Sequence, residues 1–163
     1  MGVDITAYSD LKKINADYND AGDIVDANTG EILDDAVYLY ANEHFLDRAK
    51  DIEEGFYTYA DSDTRLHLSY GAYNLWREKL SKMAGYPTIE DAWNADNGAF
   101  WELINFADNE GLIGTQACIK LAKDFSDYEN IANSSIDVSF KDYYFCLKEA
   151  FEMASNNGAI VFS

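Results

Sequence analysis

The segment TRLHLSYGAYNLWREKLSKMAGYP, residues 64–87, contains the transition that decides the fold class of this chain. Apolar and polar side chains alternate over residues 64–70, which is typical of a β-strand with one buried face. From Tyr70 onward the apolar side chains recur at helical spacings of three and four. They are Tyr73, Trp76, Leu80 and Met83. Gly85 and Pro87 are suited to end this helix, so the sequence predicts a strand followed directly by an amphipathic helix.

Strand patterns occupy the chain before this transition. We predict strands at residues 2–8, 36–42, 55–60 and 64–70. The acidic segment 17–35 predicts a hairpin in which DIV and EIL flank a turn at DANTG. The short link Asp61–Asp63 predicts a second hairpin, between the last two strands.

Helical patterns dominate the chain after the transition. We predict further helices at residues 96–107, 114–132 and 139–158, and a final strand at residues 159–162. Ser139 and Asp142 have the spacing of a capping box for the last helix. Strands followed by helices favour the α+β class, with a mostly antiparallel N-terminal sheet packed against three to four C-terminal helices. Because no segment has the Gly/Ser-rich or Pro-rich composition of a linker, residues 1–163 are expected to form a single domain.

The charge of the chain is strongly negative and unevenly distributed. The net charge is −18 at pH 7. Residues 1–63 contain 16 acidic and 4 basic side chains, a net charge of −12, whereas residues 64–163 contain 14 and 8, a net charge of −6. Such a chain is expected to repel nucleic acid and anionic membranes and to attract basic protein surfaces.

Twelve acidic residues of the N-terminal part are candidates for contact with a basic partner. They are Asp17, Asp20, Asp23, Asp26, Glu31, Asp34, Asp35, Asp51, Glu53, Glu54, Asp61 and Asp63. Presented together on a surface, these carboxylates would imitate the phosphates of a nucleic acid and bind a Lys/Arg-rich cleft. A high negative charge also favours solubility alone, so this second interpretation stays open.

A small metal-binding or hydrolytic enzyme is the alternative function. Asp108 and Glu110, in the segment DNEG (108–111), are two carboxylates beside an aromatic helix, and His67 could supply general acid–base chemistry. The same segment also suits a simple turn between two helices, because Gly111 can supply a positive φ angle. The sequence leaves both interpretations of DNEG open.

The known chemical motifs are otherwise missing. There is no nucleophile elbow, phosphate-binding loop or zinc-protease motif. An EF-hand comparison fails because Ala21 and Asn28 stand where that loop requires ligands. We therefore predict no metal and no cofactor. Cys118 and Cys146 lie among apolar neighbours and are expected to be reduced core residues, and Arg77 is expected to pair with a buried acid as a structural residue.

Five phrases of the sequence resemble a family of small proteins encoded by phages and prophages. They are MGVDITAYSDL (1–11), GAYNLWREKLSKMAGYP (71–87), FWELINFADNEGLIG (100–114), KLAKDF (120–125) and EAFEMASNNGAIVF (149–162). That family has no established activity, so the resemblance implies no catalytic residue. It does imply an accessory phage gene whose product acts in the bacterial host cytoplasm.

Charge and resemblance together predict an interaction protein and not an enzyme. We expect it to inhibit a host nucleic-acid-binding defence or repair complex, of anti-CRISPR or anti-restriction type, by acting as a nucleic-acid mimic. No direct nucleic-acid binding and no membrane association are expected. The 12 Tyr and 3 Trp residues could also form an interface between two copies, so a homodimer stays open.

Overall fold

A computed structural model describes all 163 residues of the chain. The strands are β1 (Gly2–Ser9), β2 (Lys12–Lys13), β3 (Ala16–Tyr18), β4 (Ile24–Asp26), β5 (Ala36–Leu39), β6 (Gly55–Thr58), β7 (Asp61–Ser69), β8 (Gly111–Ile113) and β9 (Ala159–Phe162). The helices are α1 (Tyr70–Met83), α2 (Ile89–Trp93), α3 (Trp101–Ile104), α4 (Thr115–Asp127), α5 (Glu129–Asn133) and α6 (Val138–Ala154), with a 3₁₀ helix at Leu46–Ala49. All strand pairs are antiparallel, and most helices follow the strands, which confirms the predicted α+β class.

The largest sheet brings together strands from both ends of the chain. Its four strands lie in the order β7-β1-β9-β8, so the C-terminal strand β9 occupies an interior position beside the N-terminal strand β1. The predicted final strand therefore does return to the sheet. Two smaller sheets are formed by β2-β6-β5 and by β3-β4.

The four-stranded sheet separates two hydrophobic cores, because side chains alternate between the faces of a strand. Ile160 and Phe162 of β9 lie in a core of 26 buried residues, which also contains the buried faces of the helices. Val161, between them, packs against a second core of 6 buried residues, to which Leu39 and Tyr57 of the three-stranded sheet belong. The three-stranded sheet therefore covers part of the face that points away from the main core.

Helix α1 forms as the sequence predicts. Ser69 is its N-cap, and the side chain of Ser69 accepts a hydrogen bond from the backbone N–H of Ala72. Tyr73, Trp76 and Leu80 of its apolar stripe are buried in the main core. The transition from strand to helix at residue 70 thus places the long strand β7 and the helix α1 in direct succession.

The predicted hairpin across DANTG forms only a short pairing, and the predicted hairpin between β6 and β7 is wrong. Strand β4 pairs with β3 on one side, and on the other side one bridge joins Val25 and Ile32, with backbone hydrogen bonds from Asp26 to Glu31 and from Leu33 to Ile24. The turn before β4 is stabilised by the Asn19 side chain, which accepts the backbone N–H groups of Ala21 and Asp23. Strands β6 and β7 lie in different sheets, since residues 61–63 pair with β1 instead of forming a turn.

Two helix predictions also need correction. The predicted helix 96–107 is reduced to α3, because Asp96, Gly98 and Phe100 all have positive φ angles of 63°, 121° and 57°, which an α-helix does not tolerate. The last helix begins at residue 138, and its N-cap is Asp137, whose carboxylate accepts the Phe140 backbone N–H at 3.0 Å. The predicted capping box at Ser139 is therefore wrong.

Candidate functional site

The twelve predicted partner-binding acids lie on the hairpin β3-β4, on the loops between β4 and β6, and at the start of β7. Eleven of them are exposed, and Asp26 is half-buried. Glu53 pairs with Lys13 at 2.5 Å and Asp63 pairs with Arg65 at 3.0 Å. The other ten form no ion pair. We call these twelve residues together the acidic face, and ten of them present carboxylates that the chain itself does not neutralise.

Some members of the acidic face also stabilise local structure. Asp26 accepts the backbone N–H groups of Thr29 and Asn28 at 2.9 and 2.8 Å, and these hydrogen bonds lower the pKa of its carboxyl group. Asp51 accepts the Gln116 backbone N–H at 2.9 Å, which caps the first turn of α4 from a distant loop. These two acids fix the loops on which their neighbours are displayed.

A row of aromatic rings lies on the outer face of the three-stranded sheet. This tyrosine row consists of Tyr18, Phe56, Tyr38 and Tyr40, with successive ring centroids 5.1, 4.9 and 6.3 Å apart. It faces outward because Leu39, between two of its members, points into the second core. Tyr18 is 51% exposed and Tyr40 is 45% exposed, so both ends of the row are open to a partner.

The tyrosine row is in direct contact with carboxylates. The Tyr38 hydroxyl donates to Glu54 at 2.5 Å, and this hydrogen bond raises the pKa of Tyr38. At the other end of the row, Tyr40 borders a cavity of about 450 Å³ that also contains Glu43 and Glu110. Sequence reasoning did not assign these aromatic residues, although the spacing of Tyr38 and Tyr40 in AVYLYAN places them on one face of a strand.

The three residues of the alternative enzyme site do not meet in one cavity. Asp108 lines a cavity between α1 and α2, whereas Glu110 lines the cavity beside Tyr40. His67 lies on β7 directly opposite Asp4 of β1, and its Nδ1 is hydrogen-bonded to the Asp4 carboxylate. This pair lies on an open face of the sheet, where the His67 side chain is 77% exposed.

Asp108 instead belongs to the surroundings of a buried arginine. Arg77 donates to the Phe106 carbonyl oxygen at 2.5 Å, and its guanidinium lies 4.7 Å from the centre of the Tyr73 ring. Asp108 lies 4.0 Å from Arg77 and accepts the Asn74 side-chain amide at 2.9 Å. Burial raises the pKa of Tyr73 to about 12. The geometry therefore supports the expected structural role of Arg77. Its acidic partner, Asp108, is half-buried and not fully buried as expected.

The segment DNEG leads from helix to strand. Residues 108–110 form the connection, and Gly111 begins β8 with a φ angle of 137°, which favours glycine. A Cβ atom at Gly111 would lie 2.9 Å from side-chain atoms of Asn42 and Phe106. Of the two interpretations left open, the turn between two helices is therefore wrong, since β8, an edge strand of the main sheet, lies between this connection and α4.

The other reactive groups are the possible metal ligands and the two thiols. No group of three or more His, Cys, Asp or Glu side chains is placed to hold a metal ion. Cys118 and Cys146 are free thiols. Burial raises the pKa of both, and Cys118 is completely buried, so their thiolate forms are disfavoured.

Comparisons of this chain with protein families, with curated proteins and with solved structures find no match. None of its helices has both the length and the apolar character needed to cross a membrane. The surface that remains as the best candidate functional site combines the acidic face with the tyrosine row.

Proposed function

We propose that this chain is an acidic interaction protein that occupies the basic nucleic-acid-binding surface of another protein. The observation that carries the proposal is the set of ten exposed or half-exposed carboxylates that form no ion pair within the chain. Unpaired carboxylates attract Lys/Arg-rich surfaces and accelerate association with them. Ten carboxylates equal the charge carried by about 17 Å of duplex DNA, at one charge per about 1.7 Å of axis.

The mode of action follows from competition for the same surface. A protein cleft lined by Lys and Arg to bind phosphates can bind a comparable set of carboxylates, and nucleic acid is then excluded from it. The same charge keeps this chain from binding nucleic acid directly. Bound in this way, the protein would inhibit its partner without catalysing any reaction.

The resemblance of the sequence to phage-borne proteins suggests where such an inhibitor acts. A phage gains most by blocking host machines that bind foreign nucleic acid in the bacterial cytoplasm. Defence and repair complexes, such as a CRISPR effector or a restriction enzyme, are therefore the proposed targets. All of these machines must present a basic cleft to a polyanion.

The proposal is tested by capture from bacterial lysate with the tagged protein. We expect a nucleic-acid-binding protein to be retained at low salt, released at high salt and displaced by added duplex DNA. A variant with Asp20, Glu31 and Asp34 changed to Lys should lose the partner. All three are exposed and have no side-chain partner, so the fold should be unaffected.

The matched control changes three acids of the helical part to Lys, at Glu90, Glu129 and Asp142. Each variant replaces three acids with Lys, so the change in net charge is the same, and none of the three control acids forms an ion pair. If the two variants weaken capture equally, net charge alone is responsible and the acidic face is not the binding surface. Capture that resists both high salt and duplex DNA would contradict the proposal.

A further inference from the structure

We propose that the tyrosine row and the cavity at its Tyr40 end recognise arginine side chains of the partner in preference to lysine. This inference rests on the proposed function, because it concerns the same surface and names the chemistry of the groups that the surface receives. At long range, carboxylates attract the equal charges of Arg and Lys to a similar extent. Any preference must therefore come from close contact with the rings and with the carboxylates held beside them.

The guanidinium group is suited to this surface in two respects. It is planar and weakly hydrated, so it stacks on aromatic faces, and it forms paired hydrogen bonds to carboxylates. An ammonium group is compact and strongly hydrated, and it gains less from both contacts. A surface that places rings and carboxylates side by side therefore favours arginine.

The tyrosine row places aromatic rings and carboxylates side by side. Glu54 accepts the Tyr38 hydroxyl, so this carboxylate is held within the row itself. Tyr18 and Tyr40 are about half exposed and offer ring surface at either end. The neighbouring strand β2 carries Lys12 and Lys13, but they lie 3.7 and 2.5 Å from acids of the same chain, so they do not oppose an incoming cation.

The cavity at the end of the row offers a place for one side chain. Its volume of about 450 Å³ is within the range of ligand pockets, about 300–1,000 Å³. Tyr40, Glu43 and Glu110 are among the residues that line it, and Glu43 lies 3.5 Å from the Nε2 atom of His44. Asn42 is fixed there, since it donates to the Glu110 carbonyl oxygen at 3.0 Å and accepts the His44 backbone N–H at 2.9 Å.

Charge complementarity indicates a basic protein as the occupant of this surface. The chain's own residues leave Tyr18 and Tyr40 about half exposed, so ring surface is available to a partner. A second copy would bring its own net charge of −18 to a surface that is already acidic, and like charges oppose such an interface. A positively charged partner surface meets no such opposition.

The test compares deca-arginine with deca-lysine, two peptides of equal charge, binding to the full-length protein at physiological salt. Fluorescence anisotropy of labelled peptides gives the dissociation constants. We expect deca-arginine to bind about five-fold more tightly or better, as stacking on exposed rings would produce. A double variant with Tyr18→Ala and Tyr40→Ala should lose this preference and keep its affinity for deca-lysine.

Two further variants separate ring stacking from general damage. The Tyr18→Phe and Tyr40→Phe double variant keeps the rings and should keep the arginine preference. Tyr143→Ala removes a half-buried tyrosine of α6, outside the row, and should also keep it. Equal affinity of the two peptides for the unaltered protein, or a preference that survives in the double Ala variant, would overturn the inference alone. If neither peptide binds at low salt, the proposed function fails as well.

Discussion

The N-terminal region, residues 1–63, and the helical region, residues 64–163, differ in how their carboxylates are used. In the helical region 8 of 14 acidic residues form an ion pair with Lys or Arg, whereas in the N-terminal region only 4 of 16 do. Four of the helical pairs have the i,i+4 spacing, which a helix brings together automatically.

The two regions also differ in burial. Of the 40 buried residues, 9 lie in residues 1–63 and 31 in residues 64–163. The helical region therefore provides most of the hydrophobic stabilisation, while the N-terminal region displays charge on strands and loops. The contrast teaches that a protein can separate the part that holds its fold from the part that is left available to a partner.

The largest expected effect is on the helical core. Phe125 is fully buried, with its ring centroid 4.9 Å from the rings of both Phe100 and Tyr144. Phe125→Ala should lower the free energy of unfolding by about 4 kcal/mol, because it removes a large side chain and leaves a cavity. Tyr40→Ala, in the N-terminal region, should lower it by less than about 1 kcal/mol. The measurement is urea unfolding monitored by circular dichroism. Equal losses of unfolding free energy in the two variants would contradict the comparison between the two regions.

The next effect concerns a charge that the helical region does bury. Arg77→Met should cost about 3 kcal/mol, since it leaves the Phe106 carbonyl group without its donor and Asp108 without its cation. The matched change Lys123→Met removes an exposed i,i+4 pair with Asp127 and should cause no measurable loss. If thermal unfolding shows the two variants to be equally stable, the Arg77 network contributes no more than a surface pair.

A smaller effect should reveal the mutual repulsion of the unpaired acids. Raising the ionic strength from low values to about 0.5 M should increase the free energy of unfolding by about 1 kcal/mol, since salt screens exposed like charges. The variant with Asp20, Glu31 and Asp34 changed to Lys should respond less to salt. The control variant of Glu90, Glu129 and Asp142 should respond nearly as the unaltered protein does. Equal salt responses of all three proteins would argue against a repulsive acidic face.

The smallest effect is a pH dependence within the acidic face. Hydrogen bonds from Thr29 and Asn28 lower the pKa of Asp26 in the folded state. A lowered folded-state pKa stabilises the protein above the unfolded-state value, about 3.9, and this contribution disappears as the pH falls through the folded-state value. Asp26→Asn should therefore be slightly less stable than the unaltered protein at pH 7, and this difference should shrink as the pH is lowered to 2. A stability difference that stays constant between these pH values would contradict this explanation.

The sequence predicted the helices and strands well wherever a hydrophobic period extended over several helical turns or several strand residues. The stripe of α1, the alternation in residues 64–70 and the final strand at residues 159–162 all form as expected. The pairing of strands was predicted less well, since the hairpin across DANTG is short and residues 61–63 pair with β1 instead of turning back onto β6. Pairing depends on which edge is free in three dimensions, and no local pattern records that.

The candidate site, too, could be predicted only in part from the sequence. The acidic residues could be identified from composition, and so could the uneven distribution of charge. That ten of the twelve form no ion pair depends on where the few basic side chains lie, which the sequence does not state. The tyrosine row joins Tyr18, Phe56 and Tyr38 from three separate strands, so only packing could bring them together.

The sequence by itself determined the α+β class, the helical stripe after Tyr70 and the negative charge of residues 1–63, because each is a property of neighbouring residues or of composition. The tertiary structure alone decided that β9 lies between β1 and β8, that Asp108, Glu110 and His67 do not share a cavity, and that aromatic rings lie among unpaired acids. These are contacts between residues far apart in the chain, and their formation depends on the collective burial of apolar surface and not on any one segment.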